Sequence, residues 1–195
     1  MLAAALLARP AAAGHADRAP VFMTQAQALA QAFPGDSIRR LSLILTDAEA
    51  AAVEARARAR LESRIATAYV AHRGDTLAGT AFFDTRIVRT MPAVFMVVVG
   101  PDTAVRRVDV LAFHEPPDYR PLPRWLALFE GRRLDGRAST ADVRTLSGAT
   151  LSARAVGTGV RLALALYEVV VAPRLAAEGG GQPRSGTGGG TLEGR

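Results

Sequence analysis

The fold class of this chain is decided by one β-rich stretch, AVFMVVVGPDTAVRRVDVLAF, which spans residues 93–113. Residues 93–99 are an unbroken, Val-rich apolar run, which is typical of a strand buried on both faces. Gly100, Pro101 and Asp102 then supply turn-forming residues, and residues 105–113 resume a strand-like pattern. The stretch therefore predicts an antiparallel hairpin at the centre of a sheet.

Helix and strand patterns alternate on either side of this hairpin. Thr46 and Glu49 form a capping-box pattern that starts a helix. Pro173 is expected to end the last helix, because proline lacks a backbone N–H. Arg-Gly-Asp-Thr at residues 73–76 is interpreted as a tight turn that needs glycine, rather than as an adhesion signal. The element order predicts an α+β fold, a single domain with an antiparallel or mixed sheet of about five strands flanked by helices. The predicted helices are residues 25–33, 46–64, 124–130 and 151–172, and the predicted strands are residues 37–45, 67–72, 77–83, 93–99 and 105–113.

The chain of 195 residues is long enough for one domain with a buried core. Residues 1–20 are rich in Ala and Leu without a charged start, so they are interpreted as a truncated signal or an Ala-rich leader. Residues 21–176 are predicted to form the domain and residues 177–195 a disordered Gly-rich tail. Arg161 and Glu168 interrupt the most apolar later stretch, so we expect no membrane-spanning helix. A signal-like leader predicts a periplasmic or extracytoplasmic location.

The composition excludes several kinds of site. The chain has no Cys, which excludes thiol nucleophiles, disulfides and Cys-ligated iron–sulfur or zinc centres. His15, His72 and His114 are the only histidines and are too scattered for a metal site or a Ser–His triad. All 24 basic residues are Arg, but 18 acidic residues are interspersed with them, so a nucleic-acid partner is not expected despite a net charge of +6. No catalytic residue and no metal ligand are predicted.

The stretch TLSGATLS, residues 145–152, carries the most informative chemistry. A Ser/Thr-rich turn that contains Gly148 and opens a helix gathers backbone N–H groups and the positive end of the helix dipole, which suits a phosphate. The hydroxyls of Ser147, Thr150 and Ser152 could donate to that phosphate or be esterified by it. An ordinary helix N-cap would have the same composition. The stretch lacks the P-loop lysine, so hydrolysis of a nucleoside triphosphate is not supported.

Ser147-Gly148-Ala149-Thr150-Leu151-Ser152 resembles the SGAT-x-S signature of FMN-binding domains, as in the flavoprotein subunits of Rnf and sodium-pumping quinone reductase complexes. The resemblance implies an FMN joined covalently through a phosphoester to Thr150 by a separate FAD:protein FMN transferase. The cofactor-binding turn would then consist of Thr150 with Ser147, Gly148, Ala149, Leu151 and Ser152. The stretches VLAFHEP at residues 110–116 and WLALFEG at residues 125–131 are similar to two further segments of that family, in the same order.

The resemblance also implies flavin contacts outside the turn. Glu115 would accept a hydrogen bond from the flavin, although it could instead end a strand at the surface. Trp125 and Phe129 would wall the ring, with core packing as the alternative. Arg144 stands where the family commonly has Asp, and it could offset the phosphate charge or simply be solvated.

A tethered flavin suits an electron carrier, because the cofactor supplies the redox chemistry and the protein tunes its surroundings. The predicted function is therefore an electron-transfer flavoprotein domain in a membrane-associated or extracytoplasmic redox chain. Its expected partners are the transferase and a membrane redox complex or other electron-transfer proteins. Two alternatives stay open, a flavin-dependent reductase with its own small substrate and a flavin-free sensing or structural member.

Overall fold

The computed structural model describes residues 21–135, 143 and 150–180. The expected leader, the turn residues 144–149 and residues 181–195 of the expected tail lie outside these ranges. The strands are β1 Ser37–Ile44, β2 Ile65–Arg73, β3 Thr76–Ile87, β4 Pro92–Val99 and β5 Val105–Phe113. The helices are α1 Gln25–Ala32, α2 Asp47–Ala57, α3 Pro123–Leu126, α4 Thr150–Leu166 and α5 Ala172–Gly180, with short 3-10 turns at Pro117–Tyr119 and Ala127–Phe129.

The five strands form one sheet in the order β1-β2-β3-β4-β5, and every neighbouring pair is antiparallel. The predicted α+β fold with a five-stranded sheet is confirmed. The Val-rich strand β4 lies between β3 and β5, as its burial on both faces requires. Gly74 adopts a φ of 59° in the tight turn between β2 and β3, which explains why that turn contains glycine.

Helices cover the two faces of the sheet unequally. The larger core packs α2 and α4 against side chains such as Val70, Phe82 and Val97. The smaller core on the other face packs Leu29 and Phe33, from α1 and its end, against the sheet. The helix α4 lies across the middle of the large core, so its first turn is held in a fixed position relative to β3.

Local signals explain where the second helix begins and ends. The Glu49 backbone N–H donates to Thr46 Oγ1 at 3.2 Å, and Glu49 Oε2 accepts from the Thr46 N–H at 2.8 Å, which confirms the capping box. The helix ends at Ala57 rather than at residue 64, where the sequence placed its end. Arg58 adopts the left-handed conformation with a φ of 49°, and this C-cap stops the helix about two turns early.

The prediction that Pro173 ends the last helix is wrong. The chain stays helical from α4 through a π-helical turn at Tyr167–Val171 into α5, which contains Pro173. A proline in a regular α-helix clashes with the carbonyl oxygen of the residue four positions before it, here Val169. Val169 lies in the π turn, whose backbone is wider than that of an α-helix, so the helix continues through Pro173. Residues 177–180 are therefore helical, and Glu178 pairs with Arg39 of β1 at 2.7 Å.

This continuous helix, Thr150–Glu178, has 29 residues and is apolar enough by composition to cross a membrane, contrary to the expectation from Arg161 and Glu168. Two thirds of its most apolar window, 67%, is buried inside the fold. Packing against the sheet accounts for its apolar character, because a core helix meets the same composition test.

Candidate functional site

The start of α4 presents three neighbouring side chains in different environments. Thr150 is the first described residue of the helix and is exposed, and Leu151 is 44% exposed. Ser152 is buried instead, and its Oγ donates a hydrogen bond of 2.5 Å to the Tyr119 carbonyl oxygen. This bond ties the first turn of α4 to the 3-10 turn that follows β5. The predicted turn residues Ser147, Gly148 and Ala149, and Arg144, lie outside the described residues.

Glu115 lies just after β5 and is buried, but its observed partners belong to the protein. One carboxylate oxygen, Oε1, accepts hydrogen bonds from the backbone N–H groups of Arg89, Thr90 and Met91 at 3.0, 2.6 and 2.9 Å. These bonds, the one from Thr90 most of all, hold the pKa of Glu115 below its ordinary value. Glu115 thus fixes the turn between β3 and β4, and its contact with a flavin stays a prediction.

Two side chains that the sequence analysis did not single out complete this corner of the fold. The Arg89 guanidinium stacks on the Tyr119 ring at 4.5 Å from the ring centre, in a cation–π contact. Glu115 and Ser152 therefore connect, through Arg89 and Tyr119, the β3–β4 turn with the start of α4. No periodic pattern marks either residue, since both lie in irregular turns.

Trp125 and Phe129 lie on the other side of β5 in the large core. Their exposed fractions are 5% and 2%, and their rings meet edge to face with centres 5.2 Å apart. This arrangement is the core packing that the sequence analysis kept as the alternative. Neither ring is among the described side chains that line the cleft beside Thr150.

A cleft of about 520 Å³ runs along α4 from its first turn. One wall is formed by α4 residues Leu151, Arg154, Ala155 and Thr158. The other is formed by the end of β3, residues 85–88, together with Glu62. The pairing of β2 with β3 stops at Ala68 and Phe82, whereas β3 stays paired with β4 as far as Ile87 and Pro92. The end of β3 is therefore unpaired on the β2 side, and this leaves room for the cleft.

The mouth of the cleft is apolar and its sides carry charge. Ile87 and Leu151, which both line the cleft, are large apolar side chains that are 63% and 44% exposed. Arg86 is mostly buried and pairs with Asp84 at 2.6 Å and with Glu62 at 3.4 Å. Burial raises the pKa of Asp84, while the neighbouring Arg86 opposes that rise.

Comparisons with known proteins agree with this geometry. Residues 91–165, which include the start of α4 and one wall of the cleft, match the FMN-binding domain family. The chain has a fold similar to the crystal structure of NqrC from Shewanella oneidensis, with a TM-score of 0.52 and 18% identity over 78% of this chain and 88% of NqrC. No curated protein is similar enough in sequence to count as a relative.

The described residues around this cleft fit a flavin mononucleotide. The exposed side chains of Ile87 and Leu151 can contact a planar ring, and the exposed Thr150 directly precedes Leu151 in α4. Arg154 places a positive charge along one wall, where an anionic ligand would lie, while the charge of Arg86 is balanced by Asp84 and Glu62. The match of residues 91–165 to the FMN-binding domain family supports FMN as the ligand of this region.

Proposed function

We propose that this domain carries FMN covalently, through a phosphoester between the FMN phosphate and the Thr150 hydroxyl, and works as an electron carrier. The bond would form at Thr150 Oγ1 with FAD as the FMN donor. The hydroxyl oxygen attacks the FMN phosphorus, AMP leaves, and the hydroxyl proton passes to solvent. A separate FAD:protein FMN transferase would carry out this step.

The observation that carries the proposal is the position of Thr150. It is the first described residue of the long helix α4, and the start of a helix, with its backbone N–H groups and helix dipole, favours a phosphate. It is also exposed, as attack by a separate transferase requires, and it directly precedes Leu151, which lines the cleft. Ser152, the other described hydroxyl of the motif, is buried and donates to Tyr119, so it is a poor acceptor.

The protein would supply orientation rather than reacting groups. Leu151 and Ile87 would contact the ring, and Arg154 would face it along the cleft. The bound flavin supplies the capacity to take up and release electrons. Because Glu115 and Ser152 hold the surrounding turns by hydrogen bonds, the cleft is organised before a cofactor enters it.

We infer the redox chain of this carrier from its motif and its leader. The motif resembles that of flavoprotein subunits of membrane redox complexes, and the fold is similar to that of NqrC, so we infer that this chain passes electrons to or from a membrane redox complex or another electron-transfer protein. The signal-like residues 1–20 favour a periplasmic or extracytoplasmic location for that exchange.

The proposal is tested by intact mass of the protein exported from cells that also produce a flavin transferase. We expect a gain of one FMN less one water, and flavin fluorescence that stays with the protein band after denaturing electrophoresis. Thr150→Ala should abolish both signals. Thr158→Ala is the matched control, because Thr158 lies on the same helix and lines the same cleft but is two turns away from the helix start.

Loss of the adduct in Thr150→Ala alone would support the proposal. An adduct that persists in Thr150→Ala would move the attachment site elsewhere. An unmodified wild type with two different transferases would overturn covalent attachment.

A further inference from the structure

Arg154 is the cation of the cleft that has no observed partner. Its side chain is exposed and lines the cleft, and within residues 21–135, 143 and 150–180 it forms no hydrogen bond or ion pair. The other cation of the cleft, Arg86, is already paired with Asp84 and Glu62. The charge of Arg154 is therefore available to a ligand in the cleft.

The position of Arg154 along α4 separates it from the attachment point. Arg154 follows Thr150 by one helical turn, about 6 Å along the axis, and Thr158 follows by about 12 Å. The phosphate on Thr150 would lie at the helix start, where the backbone N–H groups are. Arg154 lies farther along the cleft, between Leu151 and Thr158, where the rest of an attached flavin would extend.

We propose that Arg154 binds the flavin ring and stabilises the negative charge that the ring acquires on reduction. This inference rests on the proposed FMN site and names a residue that tunes it. Two electrons from a low-potential donor and one proton from solvent leave a flavin with one negative charge on its pyrimidine side. A guanidinium beside that charge favours the reduced form over the oxidised form, because positive charge near the ring nitrogens raises the reduction potential.

The test uses riboflavin, which has no phosphate, and the Thr150→Ala chain, which cannot carry a covalent FMN. Dissociation constants for oxidised riboflavin and for riboflavin reduced with dithionite are measured anaerobically. We expect tighter binding of the reduced form. Adding Arg154→Gln should reduce that preference by about fivefold, the size of one partly exposed charge interaction. Arg154→Lys should restore most of it, which a purely structural role of the side chain would not do.

Arg60→Gln is the matched control, since Arg60 is an exposed arginine that lines none of the described cleft. It should leave the preference unchanged. The inference is overturned if Arg154→Gln leaves the ratio of the two dissociation constants, oxidised to reduced riboflavin, unchanged. It is also overturned if riboflavin does not bind at all. Intact mass of the wild type reports separately on the covalent proposal, so failure of the bond to Thr150 and failure of the role of Arg154 are distinguished.

Discussion

Gly159 of α4 lies directly against the carboxylate of Asp84 on β3. A Cβ atom at position 159 would come 2.5 Å from Asp84 Oδ2, closer than any real contact. The Asp84 side chain cannot easily move away, because it is half-buried under the helix and held by Arg86 at 2.6 Å. Glycine at this position therefore allows the close approach of α4 to β3 at Asp84.

Gly159→Ala should destabilise the protein although alanine is the better helix former. We expect a loss of about 1–3 kcal/mol from the forced shift of packed groups, which exceeds the helix-propensity gain of about 1 kcal/mol. Urea denaturation measures the free energy of unfolding. Gly157→Ala is the control, because its Cβ would meet only Arg161 Nη1 at an ordinary 3.5 Å, and it should stabilise the protein slightly. Equal effects of the two substitutions would contradict this account of Gly159.

The carboxylate of Glu115 should make stability depend on pH. Its pKa in the folded protein is lowered from 4.5 by three backbone hydrogen bonds, so its contribution is fully present above pH 4.5 and is lost as the pH falls through the folded pKa. In Glu115→Gln, the urea midpoint should therefore fall less between neutral and acidic pH than in the wild type. Glu130→Gln removes an exposed carboxylate and should retain the wild-type slope. A Glu115→Gln profile parallel to the wild type would refute this role.

Ser152→Ala should separate the structural role of Ser152 from a role at the phosphate. Removing the hydroxyl leaves the Tyr119 carbonyl without this donor, at an expected cost of about 1–2 kcal/mol in unfolding free energy. The covalent adduct on Thr150 should still form, as intact mass would show. Ser42→Ala, at an exposed position on β1, should change neither quantity by a measurable amount. Loss of the adduct with unchanged stability would instead place Ser152 in the phosphate turn.

Substitution of Trp125 should lower the free energy of unfolding and leave the absorption spectrum of the flavin unchanged. Trp125→Ala removes a ring buried against Phe129, and we expect a loss of about 3–5 kcal/mol. Trp125→Phe keeps an aromatic side chain and a folded protein, so the visible absorption spectrum of the loaded domain can be compared with the wild type. The flavin bands should not move. A shift of those bands in Trp125→Phe would show that the indole contacts the ring after all.

Local patterns in the sequence predicted all five strands, although β3 runs to Ile87 rather than to the predicted residue 83. The Val-rich run at residues 93–99 and its partner at residues 105–113 predicted β4 and β5, because burial on both faces demands a continuous apolar strand. The Thr46 capping box predicted the start of α2, because its hydrogen-bond donor and acceptor are only three residues apart in the sequence. The motif at residues 145–152 likewise predicted a helix after it, and α4 is described from Thr150 onward.

Only the tertiary structure decided what surrounds that helix start. Glu115 bonds to backbone groups 24–26 residues away, and Ser152 bonds to a carbonyl 33 residues away, so their roles depend on which turns meet in space. The continuation of the helix through Pro173 required a π turn that no propensity indicates. The sequence by itself determined the strands, the helix starts and the chemistry of the motif, because these depend on neighbours within one turn or one strand. The partners of Glu115 and Ser152, and the unpaired charge of Arg154 in the cleft, follow from packing between distant segments.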